Sequence, residues 1–179
     1  MVSCVSRACA LAPAHEPQPG FAPVRPGVRL AVDVGSVRVG VARSDPDGVL
    51  ASPLEVIRHG RGDLDRLADL TAAHEALEVI VGLPTTLAGR QGQAATSARQ
   101  VAADLADRIT PVPVRLFDER FTTTTAHAVL RQGGKNAKAR RGIVDAAAAA
   151  VLLQAALDSE RATGSPPGEL VPTGGGKTT

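Results

Sequence analysis

Three short strand-like segments follow one another with only a few turn residues between them: the first is an apolar run rich in β-branched residues, the second alternates, and the third is broken by Pro53. They cover residues 28–34, 37–43 and 49–57, separated by Gly35-Ser36 and by the turn Asp45-Pro46-Asp47-Gly48. Runs joined by such short turns pair antiparallel, because a parallel pair of strands needs a crossover of roughly a dozen residues. This region is therefore predicted to form a three-stranded antiparallel meander, which restricts the fold to those that contain one.

After the meander, the apolar spacing alternates between that of helices and that of strands. The pattern predicts helices over 63–76, 92–108, 122–131 and 143–157, and strands over 78–82 and 112–117. Right-handed β-α-β crossovers then add parallel strands beside the meander. The chain is predicted to be an α/β protein with one mixed five-stranded sheet flanked by helices, an order compatible with the ribonuclease-H-like architecture.

The two ends of the chain differ from its middle. Residues 1–27 and 161–179 are rich in Pro, Gly and small residues and have no apolar periodicity, so we predict disordered extensions around a domain at 28–160. The two cysteines, Cys4 and Cys9, exclude a disulfide scaffold and a cysteine-based zinc site, and they favour a reducing, cytoplasmic compartment. No apolar run reaches the roughly 18 residues of a membrane span, so no membrane partner is expected.

A basic stretch stands out against a formal net charge of only +2. Residues 131–141 contain five basic residues and no acid, namely Arg131, Lys135, Lys138, Arg140 and Arg141. With Gly133-Gly134 inside it, the stretch predicts a mobile loop that contacts phosphates, although an ordinary solvated loop would have the same composition. The chain has no Trp or Tyr, which disfavours a single-strand binder built on stacked aromatic rings.

Three acids lie where the predicted elements would bring carboxylates together. Asp33 interrupts the first strand, Glu119 directly follows the fifth, and Asp145 lies in the first turn of the last helix. Three neighbouring carboxylates repel one another unless a cation lies among them, and oxygen ligands without cysteine or a histidine pair favour Mg²⁺ or Mn²⁺. Two of the acids also have ordinary explanations, a helix-dipole partner for Asp145 and an ion pair with Arg120 for Glu119, whereas Asp33 is the hardest to explain in this way because strands disfavour Asp.

A glycine-rich connection joins the fourth strand to the next helix. The helix start near Gly92 is suited to bind a phosphate with help from Arg90. The same composition is also typical of a plain strand-to-helix connection, and this alternative stays open.

Four short motifs, in order along the chain, carry a resemblance to a known family. Residues 32–42 (VDVGSVRVGVA) are similar to the opening motif D-x-G-x-x-R-x-G-V-A. The other three are 79–84 (VIVGLP), 118–123 (DERFTT) and 144–145 (VD), the last followed by small residues. Together they resemble the YqgF family of RuvC-like proteins, which comprises pre-16S rRNA nucleases and Holliday junction resolvases.

This resemblance implies a ribonuclease-H-like fold, a divalent metal held by acids and a nucleic-acid substrate. It places Asp33, Glu119 and Asp145 on the catalytic, metal-binding acids, and Arg38 on the motif arginine, to which we assign a phosphate contact. The remaining residues predicted to bind substrate are Arg90, Arg120, Lys135, Lys138, Arg140 and Arg141.

The sequence thus predicts a Mg²⁺- or Mn²⁺-dependent endonuclease that processes the 5′ end of pre-16S rRNA in ribosome biogenesis. One alternative is a resolvase of four-way DNA junctions, which would act as a dimer. A second is a non-catalytic RNA-binding assembly factor that needs the basic stretch but not the acids. A third, an actin-like ATPase suggested by Asp33-x-Gly35, would need two such domains.

Overall fold

A six-stranded mixed β-sheet organises the part of the chain that the structure, a computed structural model, describes: residues 24–84, 92–118 and 137–174, with 137–144 as backbone only. The strands, in chain order, are β1 (Arg29–Val34), β2 (Arg38–Ser44), β3 (Ala51–Arg58), β4 (Glu78–Leu83), β5 (Val114–Asp118) and β6 (Glu169–Leu170). The helices are α1 (Asp63–Ala73), α2 (Gln93–Ile109) and α3 (Ala137–Thr163).

The order of strands across the sheet is β3-β2-β1-β4-β5-β6. β1, β2 and β3 pair antiparallel as the predicted meander, and β1, β4 and β5 pair parallel through crossovers that contain α1 and α2. The predicted ribonuclease-H-like mixed sheet flanked by helices is therefore confirmed, with one strand more than the sequence indicated.

Successive side chains on the central strands point to opposite faces of the sheet, so the hydrophobic core has two parts, one on each face. Leu30 and Val32 of β1 point to the face covered by α1 and α2, and Ala31 points to the face covered by α3. Because both faces are covered, the inner strands are buried along nearly their whole length, and their sequences read as continuous apolar runs. The α3 face is built from small residues and a few larger ones: Ala31, Ala42, Ile80, Phe117, Ala149, Leu152, Leu153, Ala156 and Leu157.

The folded body extends past both predicted boundaries. α3 continues to Thr163, and β6 then pairs antiparallel with β5, so the prediction of a disordered tail is wrong for residues 161–174. The Val171 N–H donates to the Val114 carbonyl (2.9 Å), and Val171 is buried. β6 has only two residues in a Pro- and Gly-rich segment, too short to produce an alternating pattern. At the other end, the Gly27 N–H donates to the Pro46 carbonyl (2.7 Å), so the body begins before residue 28.

α3 also begins earlier than predicted, and this changes the basic stretch. Lys138, Arg140 and Arg141 lie in the first turns of α3 rather than in a loop, since 137–141 (AKARR) are good helix formers. The rest of the basic stretch and the helix predicted at 122–131 lie outside the described residues. α3 has 27 residues, but neither it nor any other helix within the described ranges is apolar enough to cross a bilayer.

A buried network of charged side chains lies where the parallel strands begin. Arg29 of β1 and Glu78 of β4 are fully buried, and Glu160 of α3 is 3% exposed. Arg29 donates from Nε to Glu78 Oε1 (3.1 Å) and from Nη2 to the Glu160 carboxylate (3.1 Å). Arg115 of β5 donates to Glu78 Oε2 (3.0 Å), and Arg25 donates to Glu160 Oε1 (2.8 Å). The network joins three strands to the far end of α3.

These contacts keep Glu160 ionised in spite of its burial. Burial raises the pKa of Glu160, but hydrogen bonds from Arg25 and the nearby charge of Arg29 outweigh that effect and lower the pKa below its usual 4.5. A buried charge is tolerated only with partners, so α3 cannot slide along the sheet without a large energetic cost.

Replacing Arg29, the central cation of this network, tests how much the network contributes to the free energy of unfolding. Arg29→Met leaves Glu78 and Glu160 short of a partner in the interior, and we expect it to lower the free energy of unfolding by about 3–5 kcal/mol in urea denaturation. Arg66→Met is the matched control, because it breaks the half-exposed pair with Glu55 (2.7 Å) and should cost less than about 1 kcal/mol. Equal losses in the two variants would contradict the role assigned to the buried network.

Candidate catalytic site

The carboxyl ends of the three parallel strands meet at one edge of the sheet, and acids from the sequence motifs lie there. Asp33 is the next-to-last residue of β1, and Asp118 is the last residue of β5. Between them, Gly82 of β4 pairs with Phe117 and lies one residue beyond the Val32–Val81 pair. Asp33 therefore lies about level with Gly82, at the edge where ligands bind in parallel sheets of this kind.

Asp33 is on the face of the sheet that α3 covers. Its second neighbour along the strand, Ala31, packs in the cluster formed with α3, and side chains two residues apart on a strand share a face. In the antiparallel register, Asp33 pairs with Gly40 of β2. The residues that flank Asp33 on both neighbouring strands, Gly40 and Gly82, are thus glycines, and neither places a side chain beside the carboxylate.

Gly40 also sets the approach of α3. A Cβ on Gly40 would lie 2.6 Å from the carbonyl carbon of Asp145 and 3.2 Å from the Ala146 nitrogen, so it would clash with the helix backbone. Only glycine allows so close an approach, which brings the backbone of Asp145 onto the strand that pairs with Asp33. The structure therefore brings two of the three predicted acids, Asp33 and Asp145, to one face and one edge of the sheet.

Arg38 completes the charged group on this face. Its Nε lies 3.3 Å from Asp145 Oδ2, and the two side chains are 32% and 36% exposed. The sequence predicts a phosphate contact for Arg38, and the structure shows it paired with an acid and partly exposed. A guanidinium has five N–H donors, so the bond to Asp145 leaves others for a phosphate. The phosphate contact stays a prediction.

The other predicted substrate residues fall into two groups. Lys138, Arg140 and Arg141 precede Asp145 on α3 by four to seven residues, or about 6–10 Å of helix. Glu119, Arg90, Arg120 and Lys135 lie outside the described residues.

The donor set at this edge fits a hard divalent cation. Asp33 and Asp145 offer carboxylate oxygens, the ligands preferred by Mg²⁺ and Mn²⁺. Among the described residues, no three His, Cys, Asp or Glu side chains form a group that could hold a metal ion. The third predicted acid, Glu119, follows Asp118 directly in the chain.

Sequence reasoning missed the role of the glycines. Gly40 and Gly82 belong to the sequence motifs, but the motifs do not indicate a structural function for either glycine. The available signal was a glycine inside a strand, which often marks a place where another backbone comes close. For Gly40 the other backbone is that of α3, 105 residues further along the chain at Asp145.

Comparisons with known proteins agree with the motifs. The model of the family described as "RuvX: Holliday junction resolvase" matches residues 27–159. A protein of Thermobifida fusca named "Putative pre-16S rRNA nuclease" is 59% identical over 155 residues, which cover 83% of this chain and 98% of that protein. Proteins with the same name from Nocardioides sp. and Streptomyces coelicolor are 54% and 51% identical, each over 83% of this chain and over 98% and 90% of their own lengths. The predicted resemblance to the YqgF family is confirmed.

Among solved structures, similarity is found to Thermus thermophilus RuvC in complex with a Holliday junction substrate. The two chains are 18% identical with a TM-score of 0.47, over 79% of this chain and 98% of RuvC. A second structure of the same RuvC is 17% identical with a TM-score of 0.40.

The contact between Gly40 and α3 can be tested by adding a single methyl group. Gly40→Ala forces the Asp145 turn away from β2, and we expect it to lower the free energy of unfolding by about 1–3 kcal/mol in urea denaturation. Gly92→Ala is the matched control, because a Cβ there meets no atom within 4 Å and should cost less than about 1 kcal/mol. If Gly40→Ala is no more destabilising than Gly92→Ala, then α3 does not lie against β2 as described.

Proposed function

Because this chain belongs to the RuvX family of Holliday junction resolvases, we propose that it is a metal-dependent endonuclease that hydrolyses phosphodiester bonds in pre-16S rRNA. The observation that carries the proposal is the convergence of Asp33 and Asp145 on one face at the carboxyl edge of the parallel strands. The choice of substrate is supported by relatives 51–59% identical that are named as nucleases of pre-16S rRNA.

The family description supports a second candidate substrate. It names a Holliday junction resolvase, so a four-way DNA junction belongs in the same assay. Pre-16S rRNA is the leading candidate because the relatives that carry its name cover 83% of this chain at high identity.

We assign the metal to Asp33 and Asp145 of the described residues, together with Glu119. When bound, Mg²⁺ or Mn²⁺ supplies Lewis-acid stabilisation and an activated water for phosphodiester hydrolysis. The protein holds Asp33 on a buried inner strand and Asp145 on a helix packed against Gly40, so neither carboxylate depends on a loop for its position. Rigid placement of this kind reduces the reorganisation that the reaction requires.

Arg38 is proposed to link the acids to the substrate. Its contact with Asp145 offsets part of the negative charge at this edge, and the guanidinium has further N–H donors for a phosphate. The basic residues before Asp145 on α3 add positive charge at the same end of the helix. Backbone charge and shape would then provide most of the recognition, since the chain has no Trp or Tyr for base stacking.

Cleavage assays with carboxylate-to-amide variants test the site. Wild-type protein should cut a pre-16S 5′-leader RNA with Mg²⁺ or Mn²⁺ and not with EDTA, whereas Asp33→Asn and Asp145→Asn should lower the rate by about a hundredfold or more because each loses a charged metal ligand. Asp69→Asn, an exposed position on α1, makes the same charge change away from the site and should retain activity.

Three results would change the proposal. If the protein cleaves a four-way DNA junction and not the RNA, the substrate is branched DNA and not pre-16S rRNA. Tight RNA binding without cleavage of either substrate would favour a non-catalytic assembly factor. Equal activity in Asp33→Asn, Asp145→Asn and Asp69→Asn would exclude the acids from catalysis.

The basic start of α3 is tested by binding in metal-free buffer. The triple variant Lys138→Gln, Arg140→Gln, Arg141→Gln should weaken RNA binding and reduce the slope of log affinity against log salt by about two, near 0.7 for each phosphate of a single strand that is no longer neutralised. Neutralising Arg43, Arg66 and Arg108 removes the same charge from exposed positions elsewhere and should leave the slope nearly unchanged. If the two triple variants show equal salt dependence of RNA binding, the start of α3 does not contact the substrate.

A further inference from the structure

A second concave site lies at the same edge of the sheet as the acids, on the opposite face. It is a partly open cavity of about 540 Å³, bounded by the β1–β2 turn, the end of β3 and the start of α2. Its polar walls come from Ser36, His59, Gln93 and Ser97. This volume is in the range of small-molecule and cofactor pockets, and the metal-binding acids do not use it.

The histidine in this cavity is held in place by a carboxylate. His59 Nδ1 lies 2.8 Å from Asp63 Oδ2, and Asp63 also accepts from the Gly60 N–H (2.9 Å) and the Leu64 N–H (2.7 Å). Burial raises the pKa of Asp63, but these hydrogen bonds outweigh it and lower the pKa, so Asp63 is a carboxylate at neutral pH. A carboxylate on one ring nitrogen orients the imidazole and leaves Nε2 as the nitrogen available to a ligand.

The other walls present hydrogen-bond donors and no described acid. Ser36 and Ser97 offer hydroxyls and Gln93 offers an amide, while the described residues that line the cavity include no Asp or Glu. α2 begins here without an acidic residue in its first turn and without a side-chain hydrogen bond at its cap, Gly92. The hydroxyl and amide groups can donate to an anionic oxygen ligand, and the uncapped start of α2 adds to the same preference. His59 Nε2 donates to such a ligand when both ring nitrogens carry a proton, because Nδ1–H is already bonded to Asp63.

The β1–β2 turn connects this cavity to the acids. Asp33 is on the α3 face, and the turn residues Gly35 and Ser36, two and three positions later, border the cavity on the other face. A nucleic-acid strand that bends over this turn can present one phosphate to the acids and a nearby one to the cavity.

We propose that this cavity binds a phosphate of the nucleic-acid substrate, beside the scissile bond, with His59 and Ser97 as direct contacts. The inference rests on the proposed function for the identity of the strand. It adds a contact that neither the basic stretch nor Arg38 provides, on the face of the sheet away from α3.

A pair of glutamate substitutions on adjacent residues tests the contact. Ser97→Glu puts a negative charge into the cavity, whereas Thr96→Glu puts the same charge on the exposed neighbour in the same turn of α2. In EDTA, we expect Ser97→Glu to weaken binding of a short single-stranded RNA about three- to tenfold, because its carboxylate repels the phosphate. Thr96→Glu should change the affinity less than about twofold. Equal effects of the two substitutions would overturn the proposal.

The His59 ring gives a direct readout without cleavage. In protein labelled at histidine with ¹³C and ¹⁵N, adenosine monophosphate at millimolar concentration should shift the His59 ring resonances in a saturable way, and Ser97→Glu should abolish the shift. If the His59 resonances do not shift while Asp33→Asn still abolishes RNA cleavage, the proposal that the cavity binds a phosphate is wrong and the proposed nuclease function is unaffected. A saturable shift that Ser97→Glu abolishes, in a protein that cuts no substrate, would support the cavity and count against the nuclease.

Discussion

The close packing of α3 against the sheet is the constraint on which the candidate site depends. Alanines on both sides, Ala31 and Ala42 on the strands and Ala149 on the helix, allow the two layers to approach closely. At the carboxyl end of the strands, the absence of a side chain on Gly40 lets the helix backbone touch β2. At the amino end, the ion network around Arg29 fixes the helix along its axis. The position of Asp145 relative to Asp33 follows from these contacts.

The charge balance at the acidic edge follows from the same packing. Asp145 is brought next to a strand that starts with Arg38, and the two side chains form an ion pair that is about one-third exposed. An ion pair at this exposure contributes little to stability, so its main effect is electrostatic. It offsets part of the repulsion between the carboxylates, and it keeps a cation with free donors beside them. The two faces of the sheet edge thus differ in chemistry: carboxylates and Arg38 on one, neutral donors and His59 on the other.

Local patterns predicted the sheet well, because β1 and β4 are nearly continuous apolar runs and α1 and α2 carry apolar residues at helical spacing on their buried faces. The motifs also indicated Asp33 and Asp145 as candidate site residues, and the structure places both at one edge of the sheet. Long-range partnerships could not be predicted in this way. Arg29 and Glu78 look like ordinary charged residues at strand starts, and only the fold shows that both are fully buried with Glu160. The pairing of Arg38 with Asp145 and the His59–Asp63 contact likewise depend on geometry that no spacing rule contains.

The two-residue strand β6 has a consequence for the solubility of the chain. Without it, β5 would be an edge strand of the sheet, with backbone N–H and C=O groups open to pair with another molecule. β6 covers part of that edge, and Gly168, with a positive φ of 76°, turns the chain so that it lies directly against Leu116. The opposite edge, β3, is interrupted by Pro53, which is a common way to block such pairing. A chain that ends at Thr163 would keep Asp33 and Asp145 but would expose the edge of β5. We expect such a chain to lose function by aggregation and not by loss of its candidate catalytic residues.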